Sequence, residues 1–157
     1  MTSLLLFAII GGAVVDAANV VDVWGVDTAT VEEVGPGGLR LAVRHPTVTR
    51  PALASPFEIV VEQPGGFDAQ EVEIAVSVDY LTLWDVNGVF PSPKDERSDG
   101  DRVVWTFDAP EGSVLRVVYE ARIEPGVQLE SRAGAVSVLD EGGVAEVTAR
   151  FRTQVRP

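Results

Sequence analysis

The chain has 157 residues, with 12 Lys+Arg against 24 Asp+Glu and a formal net charge of -12, so it repels polyanions and nucleic-acid binding is excluded. A hydrophobic content of 46% separates it from disordered chains, whose low hydrophobicity cannot offset the entropy of ordering. Cysteine is absent and His45 is the one histidine, which excludes thiol catalysis, disulfides and cysteine-ligated metal.

Residues 4–15 (LLLFAIIGGAVV) form an unbroken apolar run. Extended to residue 26 it reaches membrane-spanning length, but only by including Asp16, Asn19 and Asp22. An ionised Asp at a helix centre costs roughly 2.5–3.5 kcal/mol of insertion, so insertion is marginal unless the acids are protonated, lie near an interface or face protein. Three readings are open. The first is a membrane anchor, the second a secretory signal peptide with small residues around a cleavage point after Ala17, and the third a buried segment of the domain. No basic residue precedes Arg40, so the signal-peptide reading lacks its basic start.

At about 100° per residue, Gly12, Asp16 and Asn19 share one face of such a helix, with Asp22 beside them. Polar residues gathered in this way turn from lipid toward a neighbouring helix, which makes Gly12, Asp16 and Asn19 the candidate contact with a membrane partner. The alternative is a helix that ends near Asp16 and leaves the later residues among headgroups, where Trp24 would also suit.

From Thr28 onward the chain reads as strands and turns, the first clear alternation starting at Gly38. Residues 38–45 alternate Leu39, Leu41 and Val43 with Arg40, Ala42 and Arg44, and residues 57–63 place Phe57, Ile59 and Val61 on one side. Pro64-Gly65-Gly66 then supplies a turn. Residues 72–78 alternate again, residues 81–86 continue that strand or form a short one, and Asn87-Gly88 signals a turn. Residues 102–107 point Val103, Trp105 and Phe107 one way. In residues 113–124, Leu115, Val117, Tyr119, Ala121 and Ile123 face away from Arg116, Glu120 and Arg122. Residues 135–139 lead through Asp140-Glu141-Gly142-Gly143, a hairpin connection, into residues 144–155, where Val147, Ala149 and Phe151 alternate with charged and polar residues.

Seven or eight strands with no helix between them predict an all-β fold: an immunoglobulin-like antiparallel β-sandwich over residues 27–157, preceded by one hydrophobic helix within residues 1–26. A closed β-barrel is the alternative, because periodicity does not separate the two. One core is expected to hold Leu115, Val117, Tyr119, Ile123, Val147 and Phe151 together with Trp105.

Chemistry is sparse. His45, next to Pro46, reads as a surface or turn histidine at a strand end, without the partners that define a nucleophile–base pair. Residues 94–101 (KDERSDGD) read as a solvated loop; Asp95, Asp99 and Asp101 are its weak calcium candidates, since the spacing departs from the EF-hand loop and lacks the closing Glu. Trp105 is expected in the core, Trp84 either in the core or on a carbohydrate-stacking surface. No cofactor is called for and no catalytic residue is assigned.

Residues 100–107 (GDRVVWTF), followed by Ala109-Pro110-Glu111-Gly112-Ser113 and a long alternating strand, resemble the closing half of immunoglobulin-like repeat modules of bacterial surface proteins. Residues 19–30 (NVVDVWGVDTAT), Pro91-Ser92-Pro93, the strand around Trp105 and the closing run from Ala149 resemble a family of small, uncharacterised, membrane-anchored actinobacterial proteins. That resemblance implies one N-terminal span followed by one β-sandwich, often encoded beside a polytopic membrane protein of the DUF421 (YetF-like) type. It carries no catalytic residues. The function expected is a non-enzymatic, membrane-anchored accessory or interaction module that presents an extracytoplasmic sandwich beside an integral membrane protein. The alternative is a secreted sandwich that binds carbohydrate or calcium.

Overall fold

A computed structural model describes residues 20–21 and 26–157. The expected N-terminal helix, its contact residues Gly12, Asp16 and Asn19, and Trp24 lie outside the described residues. The elements in chain order are β1 (Val20–Val21), β2 (Asp27–Val34), a 3-10 turn (Pro36–Gly38), β3 (Arg40–Thr49), β4 (Phe57–Glu62) and β5 (Glu71–Ser77). They continue with α1 (Val78–Leu81), β6 (Trp84–Phe90), β7 (Asp95–Asp99), β8 (Arg102–Asp108), β9 (Val114–Ile123), β10 (Glu130–Leu139) and β11 (Ala145–Val155).

The pairing makes two layers. One runs β1-β2-β3-β4-β9-β6 and the other β11-β10-β5-β8-β7, every pair antiparallel. They join at a single seam. β3 pairs with β4 through Arg44 and then with β11, in parallel, at Val48 and Thr49. Among the described residues β6 and β7 end the path without pairing to each other, so the sheets stay open and the barrel alternative is not the fold. The fold is an all-β sandwich.

Alternation explains the core. Inward residues of one layer (Leu41, Val43, Ile59, Val61, Leu115, Val117) meet those of the other (Ile74, Val76, Trp105, Phe107, Val136, Val147) in one buried cluster. Each fully buried side chain of this kind stabilises by roughly 1.5–3 kcal/mol. The core expectation holds, since Leu115, Val117, Tyr119, Ile123, Val147, Phe151 and Trp105 all belong to this cluster. Aromatic rings form its centre: Phe57 lies 5.3 Å from Tyr80, 5.7 Å from Trp84 and 5.6 Å from Tyr119, each in a stacked or edge-on geometry.

Four readings of the sequence need correction. β2, not anticipated as a strand, turns Thr28 inward and is otherwise mostly half-buried, so it has no clean apolar alternation to read. Residues 94–101 are not a loop: Asp95–Asp99 is the edge strand β7, all five residues exposed, and such charge on an edge discourages pairing with other chains. Asn87-Gly88 is not a turn but lies at a register shift inside β6, where Gly88 leaves room for the Phe90 ring. His45 is neither exposed nor at a strand end, because β3 runs on through Pro46.

Candidate functional site

His45 is 3% exposed and stacks on Phe151, ring centroids 4.7 Å apart. It sits where β3 has left β4 and not yet reached β11, so the Pro46 carbonyl takes side-chain donors: Thr153 Oγ1 at 2.6 Å and His45 Nδ1 at 3.0 Å. A carbonyl only accepts, so Nδ1 carries the imidazole hydrogen. Thr153 has given its one hydrogen to Pro46, and the Tyr80 hydroxyl therefore donates to Thr153 Oγ1 at 2.9 Å. The network closes the seam. Its polar groups are committed to structure and sealed from substrate, and burial holds the Tyr80 phenol well above its usual range. Tyr80→Phe is expected to cost about 1 kcal/mol through this one bond, measured by urea unfolding.

Burial lowers the His45 pKa, opposed by the bond to Pro46, so the folded state resists protonation more than the unfolded chain does. With the folded pKa below 6.5, this contribution is full above pH 6.5 and is lost as pH falls toward the folded value, because the unfolded state then binds more protons. Unfolding free energy should therefore drop between pH 7.5 and 5.5, and the drop should shrink in His45→Gln. Equal drops in both proteins would contradict the assignment.

The calcium candidates are not brought together. Asp95 stands opposite Thr106, Asp99 pairs with Arg102, and Asp101 lies in the β7–β8 turn, its carbonyl accepting from Val78 N at 2.8 Å. Arg97, between the two strand acids, reaches across to Glu73 at 2.6 Å and pulls that carboxyl below its usual range. Among the described residues no group of three or more acids or histidines could hold a metal ion. Nor do the two described tryptophans offer a sugar-stacking face: Trp84 and Trp105 are 6% and 2% exposed, and Trp105 Nε1 donates to Glu96 at 2.8 Å. Tyr119, beside Trp105, is pushed up to about 12 by burial and then by the Glu96 charge, far from the range of a base at neutral pH.

The feature that sequence reasoning missed is a cleft of about 930 Å³ at the end of the sandwich where β2 meets β3, β4 leads to β5, and β10 turns into β11. Its apolar lining includes Leu39, Phe67, Val72 and Val138, and its acids are Asp68, Glu71, Glu73, Asp140, Glu141 and Glu146. The walls are tied. Gln63 Nε2 donates to the Gly37 carbonyl at 3.3 Å, Gly66 N to the Gln63 carbonyl at 2.9 Å, and Gly35 N to the Leu39 carbonyl at 2.7 Å. Gly37 and Gly38 take φ values of 68° and 79°, which the tight connection between β2 and β3 requires. Asp140 Oδ1 accepts from Gly142 N and Val144 N, both at 2.9 Å, and so fixes the hairpin lip. Lys94 holds Glu71 at 2.6 Å and Arg97 holds Glu73 from outside, whereas Asp68, Glu141 and Glu146 have no ion pair among the described residues. The clue in the sequence was the recurrence of acids at 68–73 and 140–146, two segments that only the fold places side by side.

No protein-family model matches the chain, and no curated protein matches it. Eight chains of solved structures do. The CARDB domain of the PF1109 protein from Pyrococcus furiosus, in complex with di-metal ions, has TM-score 0.44 and 15% identity, covering 73% of this chain and 88% of its own. A chain of the CaDoc0917–CaCohA2 complex has TM-score 0.42 and 16% identity over 69% of this chain and 92% of its own. AvmM, which catalyzes macrocyclization in alchivemycin A biosynthesis, has TM-score 0.43 and 8% identity over 85% of this chain and 90% of its own. At these identities and scores the likenesses carry nothing about ligand or activity.

Proposed function

We propose that the protein is a non-enzymatic, membrane-anchored interaction module that holds its sandwich outside the membrane beside an integral membrane protein. The observation that carries the reading is the apolar run of residues 4–15 directly ahead of the sandwich, whose first paired residue among the described ones is Val20. The five residue steps from Val15 to Val20 reach at most about 18 Å when extended, so the domain would stand close to the bilayer. Among the described residues no helix is long and apolar enough to cross a membrane, so the anchor in this reading is that N-terminal run.

The outside orientation is chosen against the Lys/Arg count, which has no basic residue before the run and Arg40, Arg44 and Arg50 after it. Residues 27–41 contain Asp27, Glu32 and Glu33 against the one cation Arg40, and folded domains translocate largely regardless of their own charge. Within the bilayer, Gly12 would let a partner backbone approach while Asp16 and Asn19 hydrogen-bond across the contact. Such bonds are worth about 0.6 kcal/mol on average, so their role is to satisfy Asp16 rather than to drive assembly.

The test is co-purification from native membranes in mild detergent with mass spectrometry. One integral membrane protein recovered in stoichiometric amount supports the reading, and the chain recovered alone contradicts it. Replacing Asp16 and Asn19 by Leu should raise insertion and lower partner recovery, opposite effects that a simple anchor would not show.

A further inference from the structure

The structure points to a partner chemistry, and we propose that the cleft between the β2–β3, β4–β5 and β10–β11 connections docks a cationic, partly apolar segment of a partner protein, with Arg or Lys alternating with aliphatic side chains. The proposal rests on the interaction-module reading and adds the surface and the ligand class. Shape comes first. At about 930 Å³ the cleft, open to solvent along one side, has room for several side chains of a docked segment. Its walls are held by backbone and side-chain hydrogen bonds before anything binds, which reduces the ordering cost of association.

Charge selects the sign. Six carboxylates line the cleft and no Arg or Lys does. Two of the six are already matched by Lys94 and Arg97, and Asp140 is engaged by its turn. Asp68, Glu141 and Glu146 remain for an incoming guanidinium or ammonium group. The apolar lining selects among cations. A bare metal ion finds no cluster of three ligands among the described residues, and a purely hydrophilic cation would leave the half-buried Phe67 facing water, Leu39 and Val72 beside it being already packed in the core. A chain with alternating charged and aliphatic side chains satisfies rim and floor together. Val144, on the hairpin whose Asp140 and Glu141 line the cleft, is 64% exposed.

The test uses the full chain in a non-ionic detergent at 0.15 M salt, with empty micelles as the blank. The probe is a fluorescein-labelled heptapeptide of alternating arginine and leucine, read by anisotropy; the comparison peptide carries serine for leucine. Screening over about 8 Å at this salt separates a local site from the field of the whole chain. The site variant joins Glu141→Lys to Glu146→Lys. The control joins Glu120→Lys to Glu124→Lys, on β9 and after it, with the same change in net charge. Expected results are weakening of about tenfold or more for the site variant, less than about twofold for the control, and about tenfold or more for the serine peptide. Glu141→Gln with Glu146→Gln, which keeps side-chain size, should fall between wild type and the lysine variant. Equal loss in site and control variants, equal binding of the serine peptide, or no binding by the wild type would each overturn the proposal. Failure here with a membrane partner still recovered removes the groove alone, while peptide binding by a chain that recovers no membrane partner removes the anchored reading alone.

Discussion

Phe151→Ala is expected to destabilise the domain by about 3–5 kcal/mol, measured by urea unfolding with the slope checked for two-state behaviour. The size follows from position. The Phe151 ring stacks on His45 at 4.7 Å, meets Tyr80 edge-on at 5.0 Å and lies 6.0 Å from Phe57, so its removal opens a cavity at the seam between the layers. It also strips the apolar cover from the carbonyl network of Pro46. A loss under about 0.5 kcal/mol, as at a surface position, would contradict the packing described.

Gly134→Ala is expected to cost about 2–3 kcal/mol, an unusual penalty for adding one methyl group. Gly134 is the register partner of Phe151, and a Cβ there would stand 2.7 Å from Phe151 Cζ and 2.9 Å from Tyr80 Cδ2. Both rings are hemmed in by the aromatic cluster and have nowhere to retreat. The two sites therefore couple: in a Phe151→Ala background the added methyl should cost much less, because the space it needs has been opened. A double-mutant cycle reads this directly, and additive costs would place the collision elsewhere.

Much of the fold was legible where one side of a strand faces a core and the other faces water. β9 is the clearest case, with Leu115, Val117, Tyr119, Ala121 and Ile123 buried and the residues between them exposed. β11 behaves likewise from Val147 to Val155. Legibility fails where tertiary position overrides the local pattern. β7 has no apolar residue, and its strand form comes from pairing with β8 alone. Pro46 suggested a strand end, yet a residue without an N–H is tolerated at a seam where β3 changes partners. His45 is buried for the same reason, since the seam needs a donor for the Pro46 carbonyl. The cleft was illegible because its acids come from connections about 70 residues apart in the chain, and only the two-layer topology brings them to one end.

The account's central claim, a sandwich held at the membrane by its own N-terminal run, is tested most directly by mass spectrometry of the protein fractionated from native cells. The prediction is a chain that stays in the membrane pellet through alkaline carbonate washing and still yields the peptide containing residues 4–26. A soluble chain beginning at Ala18 would contradict it.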